Sequence, residues 1–239
     1  MAKICVTENK KSGDNLCYLQ TSLVEILNNS EYTLKNNVVE DRARLTLTCP
    51  EYYADIIKME ICDKIAEIIA IKYKYEYFTK TIKVTGLNEE QKELLLVSLI
   101  AADLDDDKKY AYEKLKCLDE IAIDGVYNFR LRALKKKWED VVGYMPNCFF
   151  GEQLKEFVGY LLEHRKKRVY VDNGKVYDGH YRRLNRKALM PYDRLNVVRE
   201  VILSNCGELE ISGPIPEEDE RYLKEYYGDK IIFSTGYFS

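Results

Sequence analysis

The sequence of 239 residues is poor in several features that mark specialised classes of protein. Its 12 glycines and 5 prolines are too few for a collagen-like or low-complexity architecture. Charged residues interrupt every apolar run well before it could cross a bilayer, so we predict no membrane-spanning helix. Segment 1–8 lacks the apolar stretch of a signal peptide, and we expect a cytoplasmic protein. With 46% hydrophobic residues, the chain can build a core.

Metal ligands and catalytic motifs are also scarce. The only two histidines, His164 and His180, have no His or Cys neighbour at metal-ligand spacing. The seven cysteines are odd in number and lack zinc-knuckle spacing, so we predict reduced thiols that pack as small hydrophobic side chains. A Cys–His pair that meets only in space stays open. There is neither a Gly-rich phosphate loop nor a Gly-x-Ser-x-Gly elbow. We therefore predict no catalytic residues, no metal and no cofactor.

Four aspartates, Asp103, Asp105, Asp106 and Asp107, are the best candidates for a magnesium site. Carboxylates are suitable ligands, although Mg²⁺ sites usually combine separated carboxylates with a substrate phosphate. A solvated acidic junction between two helices is the alternative, and it is the one that we predict. A metal-dependent hydrolase is kept as the weaker functional alternative.

Hydrophobic periodicity predicts an α+β protein with a mostly helical middle and short strands in the N- and C-terminal parts. We predict strands at 3–7 and 42–48, helices at 15–28 and from Cys49-Pro50 to about Tyr77, a capping box at 88–91, and helices at 126–142 and 154–162. The strands from both ends could join in one mixed sheet. The predicted regions are an N-terminal α/β region (1–86), a helical region (87–166) and a C-terminal α/β region (167–239), which could pack as one domain.

The C-terminal region alternates strands and helices. Asn173-Gly174 predicts a tight hairpin within 168–177, because both residues tolerate positive φ. Beyond the hairpin, we predict a helix at 193–205, a strand at 208–212, a helix from Pro216 and a strand at 231–233.

The net charge of -3 conceals an uneven distribution along the chain. Residues 126–190 hold 15 Lys and Arg against 7 Asp and Glu, a balance of +8, and the remainder holds 22 against 33, or -11. A basic surface with interleaved tyrosines suits phosphate contacts and base stacking. It also suits an acidic protein partner, or a solvated helix face with no ligand. The candidate binding residues are Asn128, Arg130, Lys135, Lys136, Lys137, Arg165, Lys166, Arg168, Tyr170, His180, Arg182 and Arg183.

A family resemblance begins at Tyr127. The run Tyr127-Asn128-Phe129-Arg130-Leu131, followed by Glu156-Phe157-Val158 and then a hairpin, resembles the YtxC-like family of sporulation proteins. The chain departs from that pattern at 204–207. The resemblance implies a role in sporulation, brings no reaction or cofactor, and singles out Asn128 and Arg130. In helix geometry, we expect Phe129 to face the core with those two residues on either side.

These observations favour a non-enzymatic interaction protein of sporulating cells. Its partner is either an unidentified protein or, in the alternative function, a nucleic acid bound by the basic segment 126–190. The sequence predicts no oligomeric state.

Overall fold

The computed structural model describes residues 1–10, 14–27, 31–163 and 165–234. Its α-helices are α1 (Asp14–Leu27), α2 (Ala54–Ile68), α3 (Lys74–Thr81), α4 (Glu89–Leu115), α5 (Ile123–Arg130), α6 (Arg132–Tyr144), α7 (Gly151–Glu163), α8 (Asn196–Leu203) and α9 (Glu217–Tyr227). Its strands are β1 (Ala2–Asn9), β2 (Thr33–Val39), β3 (Arg42–Cys49), β4 (Ile121–Ala122), β5 (Arg168–Asp172), β6 (Lys175–Tyr177), β7 (Arg183–Leu184), β8 (Glu208–Ser212) and β9 (Ile231–Ser234). The predicted α+β class is confirmed.

The chain divides into two compact units, each made of two stretches of sequence. Unit 1 comprises Met1–Lys74 and Asp105–Gly143, and unit 2 comprises Tyr75–Leu104 and Tyr144–Ser239. This grouping follows contacts in space, whereas the three predicted regions 1–86, 87–166 and 167–239 follow the order of the sequence. Among the described residues, no helix is both long and apolar enough to cross a membrane.

Unit 1 contains a four-stranded sheet in the order β2-β3-β1-β4. β1 pairs antiparallel with β3 from Ala2↔Cys49 to Asn9↔Arg42, and β4 pairs parallel with β1. Alternate residues of β1 and β3 are buried, and the apolar face of α1 packs near the sheet. The predicted strand at 42–48 is therefore confirmed, with Leu45 and Leu47 on its buried face.

The hydrophobic pattern of the sequence does not predict β2. β2 is almost entirely exposed and includes two asparagines, so it lacks the alternating apolar residues that reveal a half-buried strand. It is an edge strand, held by its antiparallel ladder to β3.

Helical structure continues past the end of the long helix predicted from Cys49-Pro50 to about Tyr77. A short 3₁₀ segment, Glu51–Tyr53, leads into α2, a π-helical segment, Ile69–Tyr73, follows it, and α3 runs to Thr81. Four consecutive apolar residues, 68–71, are fully buried at the start of the π segment, and Lys74 and Tyr75 are buried at the start of α3.

The aspartates at 103–107 lie inside a single helix, α4, which corrects the predicted junction between two helices. The helix continues because Leu104, Ala111 and Leu115 extend its buried side. Its predicted start is confirmed by a reciprocal capping box: the Gln91 backbone N–H donates to Asn88 Oδ1 (2.8 Å), and the Asn88 N–H donates to Gln91 Oε1 (3.2 Å).

The helix predicted at 126–142 is two helices, α5 and α6, separated at Leu131. Leu131 has φ -110° and ψ 35°, which is outside helical geometry, and its side chain is fully buried. Burial of this leucine accompanies the break in the backbone.

Unit 2 contains a five-stranded sheet in the order β7-β6-β5-β8-β9. β5, β8 and β9 are parallel, while β6 is antiparallel to both β5 and β7. The predicted hairpin is confirmed, with Asn173 and Gly174 at φ 48° and 73°. The predicted order of strands and helices after it is also confirmed, with β7 as an addition. In the described residues, the strands from the two ends of the chain form two sheets and not one.

All seven cysteines are free thiols. Cys49, Cys62 and Cys206 are buried and pack as predicted. Cys17, Cys117 and Cys148 are exposed, so the packing role predicted for all seven is wrong for these three.

Candidate nucleic-acid interface

The predicted binding residues fall into both units. Of the basic segment, 126–143 lies in unit 1 with five basic and two acidic residues, and 144–190 lies in unit 2 with ten basic and five acidic residues. Unit 1 holds Asn128, Arg130, Lys135, Lys136 and Lys137; unit 2 holds Arg165, Lys166, Arg168, Tyr170, His180, Arg182 and Arg183. The two groups are therefore described separately.

The three consecutive lysines of unit 1 all have intramolecular partners. Lys136 Nζ lies 3.0 Å from Asp140 Oδ1. Lys137 Nζ lies 2.8 Å from Asp107 Oδ1. Lys135 Nζ lies 4.2 Å from the centroid of the Tyr127 ring, and burial lowers its pKa below the usual value. These contacts reduce the positive charge available to an external anion.

The Asn-Phe-Arg motif forms the exposed last turn of α5. Asn128 and Arg130 are exposed, as expected, but Phe129 is 75% exposed. The prediction that Phe129 faces the core is therefore wrong, because α5 buries Ile123 and Val126 and ends before a further buried position. Arg130 has no ion pair with any described residue, so the structure gives no salt bridge for it.

Asp107 lies at the centre of a buried hydrogen-bonded cluster in unit 1, which the pattern of the sequence did not indicate. Its carboxylate accepts hydrogen bonds from Lys74 Nζ (2.7 Å), Lys137 Nζ (2.8 Å) and the indole Nε1 of Trp138 (2.9 Å). Lys74, Asp107 and Trp138 are each at most 1% exposed. Three donors occupy this carboxylate, so it is not the solvated group that the sequence predicted.

The described part of the chain has no cluster of three or more His, Cys, Asp or Glu side chains placed to hold a metal ion. His180 is exposed in a loop of unit 2, and His164 lies outside the described residues.

Tyrosines and arginines share one face of the unit 2 sheet, which we call the tyrosine face and define as Arg168, Tyr170, Tyr177, Tyr181 and Arg183. Tyr170 pairs with Tyr177 across β5 and β6, and Tyr177 pairs with Arg183 across β6 and β7. Residues that pair in register point to the same side of a sheet. Arg168 lies two residues before Tyr170 on β5, so its side chain points to that side as well. The intervening residues Val169, Val171 and Val176 are buried on the other face.

Tyr181 is placed over this face by the loop after β6. Its ring stacks on that of Tyr170, with centroids 4.5 Å apart and planes inclined by 24°. Tyr181 has φ 58° and is 46% exposed. An exposed aromatic ring supported by a second ring can stack with a planar group such as a nucleobase.

The loop is organised by Asp178, whose role the sequence reasoning missed. Asp178 Oδ1 accepts the backbone N–H groups of His180 (2.9 Å) and Arg182 (3.0 Å), and Oδ2 accepts Arg182 Nε at 3.0 Å. Burial raises the pKa of Asp178, but these donors outweigh burial and hold the pKa below its usual range. The sequence did contain a signal for this role: Asp178 is the first residue of the loop after β6, and an aspartate at such a position is typical of an Asx turn.

The cations around the tyrosine face differ in how far they are neutralised. Arg168 donates to Glu208 Oε2 from both Nε (2.9 Å) and Nη2 (2.6 Å). Arg182 is paired with Asp178. Arg183 and Lys166 are exposed and have no ion pair with any residue that the structure describes. Arg165 Nε donates to the Leu161 carbonyl at 3.3 Å.

Comparisons with protein-family models, curated proteins and solved structures give no match for this chain. The YtxC-like resemblance, with its implied role in sporulation, therefore stays a prediction.

Proposed function

We propose that unit 2 binds single-stranded nucleic acid on the tyrosine face. The observation that carries the proposal is the Tyr170–Tyr181 stack, in which Tyr181 is 46% exposed and which lies on a sheet face that also bears Arg183. Stacking of a base on an aromatic side chain contributes about 1–3 kcal/mol and tolerates any base. Arg183 supplies a charge for the phosphate backbone that no described carboxylate neutralises.

A single strand fits this surface better than a duplex. Bases are available for stacking only where they are not already stacked and paired inside a helix. Arg168 and Arg182 each pair with a carboxylate, so the surface lacks the dense positive charge that holds a duplex by its phosphates. The proposal therefore assigns more of the affinity to stacking than to charge.

Fluorescence anisotropy with labelled single- and double-stranded oligonucleotides tests this function. We expect tighter binding of the single strand, and a roughly tenfold weaker affinity in Tyr181→Ala because one stacking platform is lost. Tyr160→Ala is the matched control, since Tyr160 is 67% exposed on α7 and lies outside the tyrosine face. Absence of binding by the folded protein, or equal effects of the two variants, would contradict the proposal.

Protein interaction is the second candidate function, in keeping with the interaction protein predicted from the sequence. It is supported by an exposed apolar stripe in unit 1 formed by Tyr52, Ile56 and Met59, which are 75%, 59% and 57% exposed. These residues are spaced four and three positions apart in the sequence, so they lie on the same side of the helical segment. Apolar groups that gather on a surface favour an interface with another protein.

A second copy of this chain is the partner that can be tested in pure form. Sedimentation velocity over a range of concentrations should show self-association that Ile56→Glu removes. A sedimentation coefficient that does not change with concentration would reject self-association through this stripe.

A further inference from the structure

Unit 2 also contains a cleft of about 540 Å³ that shares only Arg183 with the residues that define the tyrosine face. It lies where β5 and β8 end: the hairpin residues Asn173 and Gly174 form part of its lining, and Pro214 and Ile215, which follow β8, form another part. After β5 the chain turns towards β6, and after β8 it continues towards β9 on the opposite side. Loops that diverge at the carboxyl ends of parallel strands leave a crevice, which is a common place for ligands in such sheets.

The segment immediately before α8 forms the third wall of the cleft. A buried arginine, Arg199, holds the backbone of this segment in place. Arg199 is 1% exposed and forms an ion pair with Glu93, with 3.0 Å between Nε and Oε1. Its guanidinium also donates to the backbone carbonyls of Met190, Tyr192 and Arg194. Leu195, which lines the cleft, has φ 57°, a conformation that costs energy for a leucine and persists only where the surroundings enforce it. The wall is therefore preorganised.

Most of the negative charge in the cleft is already engaged within unit 2. Glu200 accepts the backbone N–H of Arg186 (2.7 Å) and also pairs with its guanidinium. Glu218 pairs with Arg194. Asp219 accepts a backbone N–H at the start of α8 at 2.8 Å, so this helix end already has its acceptor. Of the carboxylates that line the cleft, only Asp193 has no such partner within the described chain.

The positive charge in the cleft is, by contrast, largely unengaged. Lys175, Arg183 and Lys187 line the cleft and have no ion pair with any residue in the described ranges. They come from β6, from β7 and from the 3₁₀ turn Lys187–Leu189, so they approach from separate elements. With Asp193 and Asp219 counted against them, since Asp219 is bonded to an uncharged backbone N–H, the free charges leave an excess of one positive group. A concave site that holds three cations without an ion-pair partner among the described residues suits an anionic ligand.

We propose that this cleft binds a small phosphate monoester of nucleotide size. A phosphate monoester carries nearly two negative charges at neutral pH and presents several acceptor oxygens to Lys and Arg donors. The volume lies within the range of about 300–1,000 Å³ that is typical of small-molecule sites. The cleft shares Arg183 with the tyrosine face, and Lys175 lies on the same side of β6 as Tyr177, whereas Lys187 and the wall held by Arg199 belong to the cleft alone.

Isothermal titration calorimetry with adenosine monophosphate at low salt is the test. We expect saturable binding of adenosine monophosphate. Lys187→Glu should weaken this binding at least tenfold, and Arg183→Glu should weaken it to the same extent. Lys155→Glu is the control, since Lys155 is exposed on α7 and does not line the cleft. Thermal melting of each variant establishes that it is folded.

Two further measurements separate this site from the tyrosine face. Tyr181→Ala should leave nucleotide binding unchanged, and Lys187→Glu should leave the binding of a single strand without a terminal phosphate unchanged. No binding of adenosine monophosphate by the folded protein would overturn the proposal. Binding of adenosine monophosphate that Lys187→Glu and Arg183→Glu leave unchanged, or that Tyr181→Ala abolishes, would overturn it as well.

Discussion

At the scale of single residues, Glu8 is the least expected buried group in unit 1. It follows Ile4 and Val6 on the buried face of β1 and is 0% exposed. Its Oε1 accepts hydrogen bonds from Asn15 Nδ2 and from the Tyr73 hydroxyl, at 3.1 Å for the latter. Its Oε2 has no hydrogen-bond partner among the described residues. Glu8 is therefore a carboxyl group whose ionised form is poorly compensated.

Burial is the main cause of an elevated pKa for Glu8, which is raised from 4.5 to about 7. The hydrogen bonds from Asn15 and Tyr73 and the charge of Lys72 lower the pKa, while Asp124 raises it. The folded protein therefore keeps the proton over a pH range in which the unfolded chain releases it. Between these two pKa values the folded state binds more protons, so the free energy of unfolding falls as pH rises through this range and levels off above it.

Glu8→Gln should remove this pH dependence. We expect the variant to be roughly 2–3 kcal/mol more stable than the natural protein at about pH 8 and close to it in stability near pH 4. Urea denaturation across this pH range measures the effect, with exposed Glu31→Gln as the control. An identical pH dependence in Glu8→Gln and the natural protein would show that Glu8 ionises normally in the fold.

Single-residue environments were the hardest features to predict from the sequence. Phe129 is exposed and Asp107 is buried, opposite to what their residue types and positions indicated. Both depend on tertiary contacts: α5 turns Ile123 and Val126 to the core and Phe129 to the surface, and Lys74 and Trp138 bond to Asp107 from distant parts of the chain. Propensity and periodicity are local signals and do not include such contacts.

At the scale of elements, local patterns predicted the second half of the chain well. The Asn-Gly turn and the acidic first turn of α9 both depend on neighbours in sequence, and the corresponding elements were confirmed. The π-helical segment and the break at Leu131 were missed. Both features occur within stretches whose sequence pattern is helical throughout. The pattern therefore predicts an unbroken helix, whereas the local change in the backbone accompanies contacts with residues distant in sequence.

The Lys74–Asp107 pair connects α3 to α4 within unit 1, and its loss should destabilise the protein. Asp107→Ala leaves the buried Lys74 ammonium without its carboxylate, and we expect a cost of about 3–5 kcal/mol in the free energy of unfolding. Asp106→Ala is the matched control on the same helix, because Asp106 is exposed, and it should change stability by less than about 0.5 kcal/mol. Equal losses from the two substitutions in chemical denaturation would contradict a structural role for the pair.

At the scale of the whole molecule, the net charge of -3 is a poor guide to binding. The basic segment is divided between the two units, and the lysines of its first part pair with Asp107, Asp140 and the Tyr127 ring. The sequence correctly indicated an excess of basic residues with interleaved tyrosines. It could not indicate which cations are neutralised, because their partners lie far away in sequence or within loops.

Among the candidate binding residues, the structure brings together those that follow the hairpin register. Tyr170 and Arg183 share a face because β5, β6 and β7 form one antiparallel ladder. Tyr181, which was seen in the sequence only as an interleaved aromatic, joins them through the loop held by Asp178. The tyrosine face is therefore the product of strand register and one Asx-stabilised loop.

Photo-crosslinking of a halogenated single-stranded oligonucleotide, followed by mass-spectrometric mapping, tests the nucleic-acid function most directly. If bases stack on the tyrosine face, crosslinks should be found at Tyr181, Tyr170 or Tyr177 and should decrease in Tyr181→Ala. Tyr160 provides the internal control, because it is an exposed tyrosine in the same unit. Crosslinks confined to Lys135–Lys137 or to Tyr160, or no crosslinking at saturating oligonucleotide, would contradict the account.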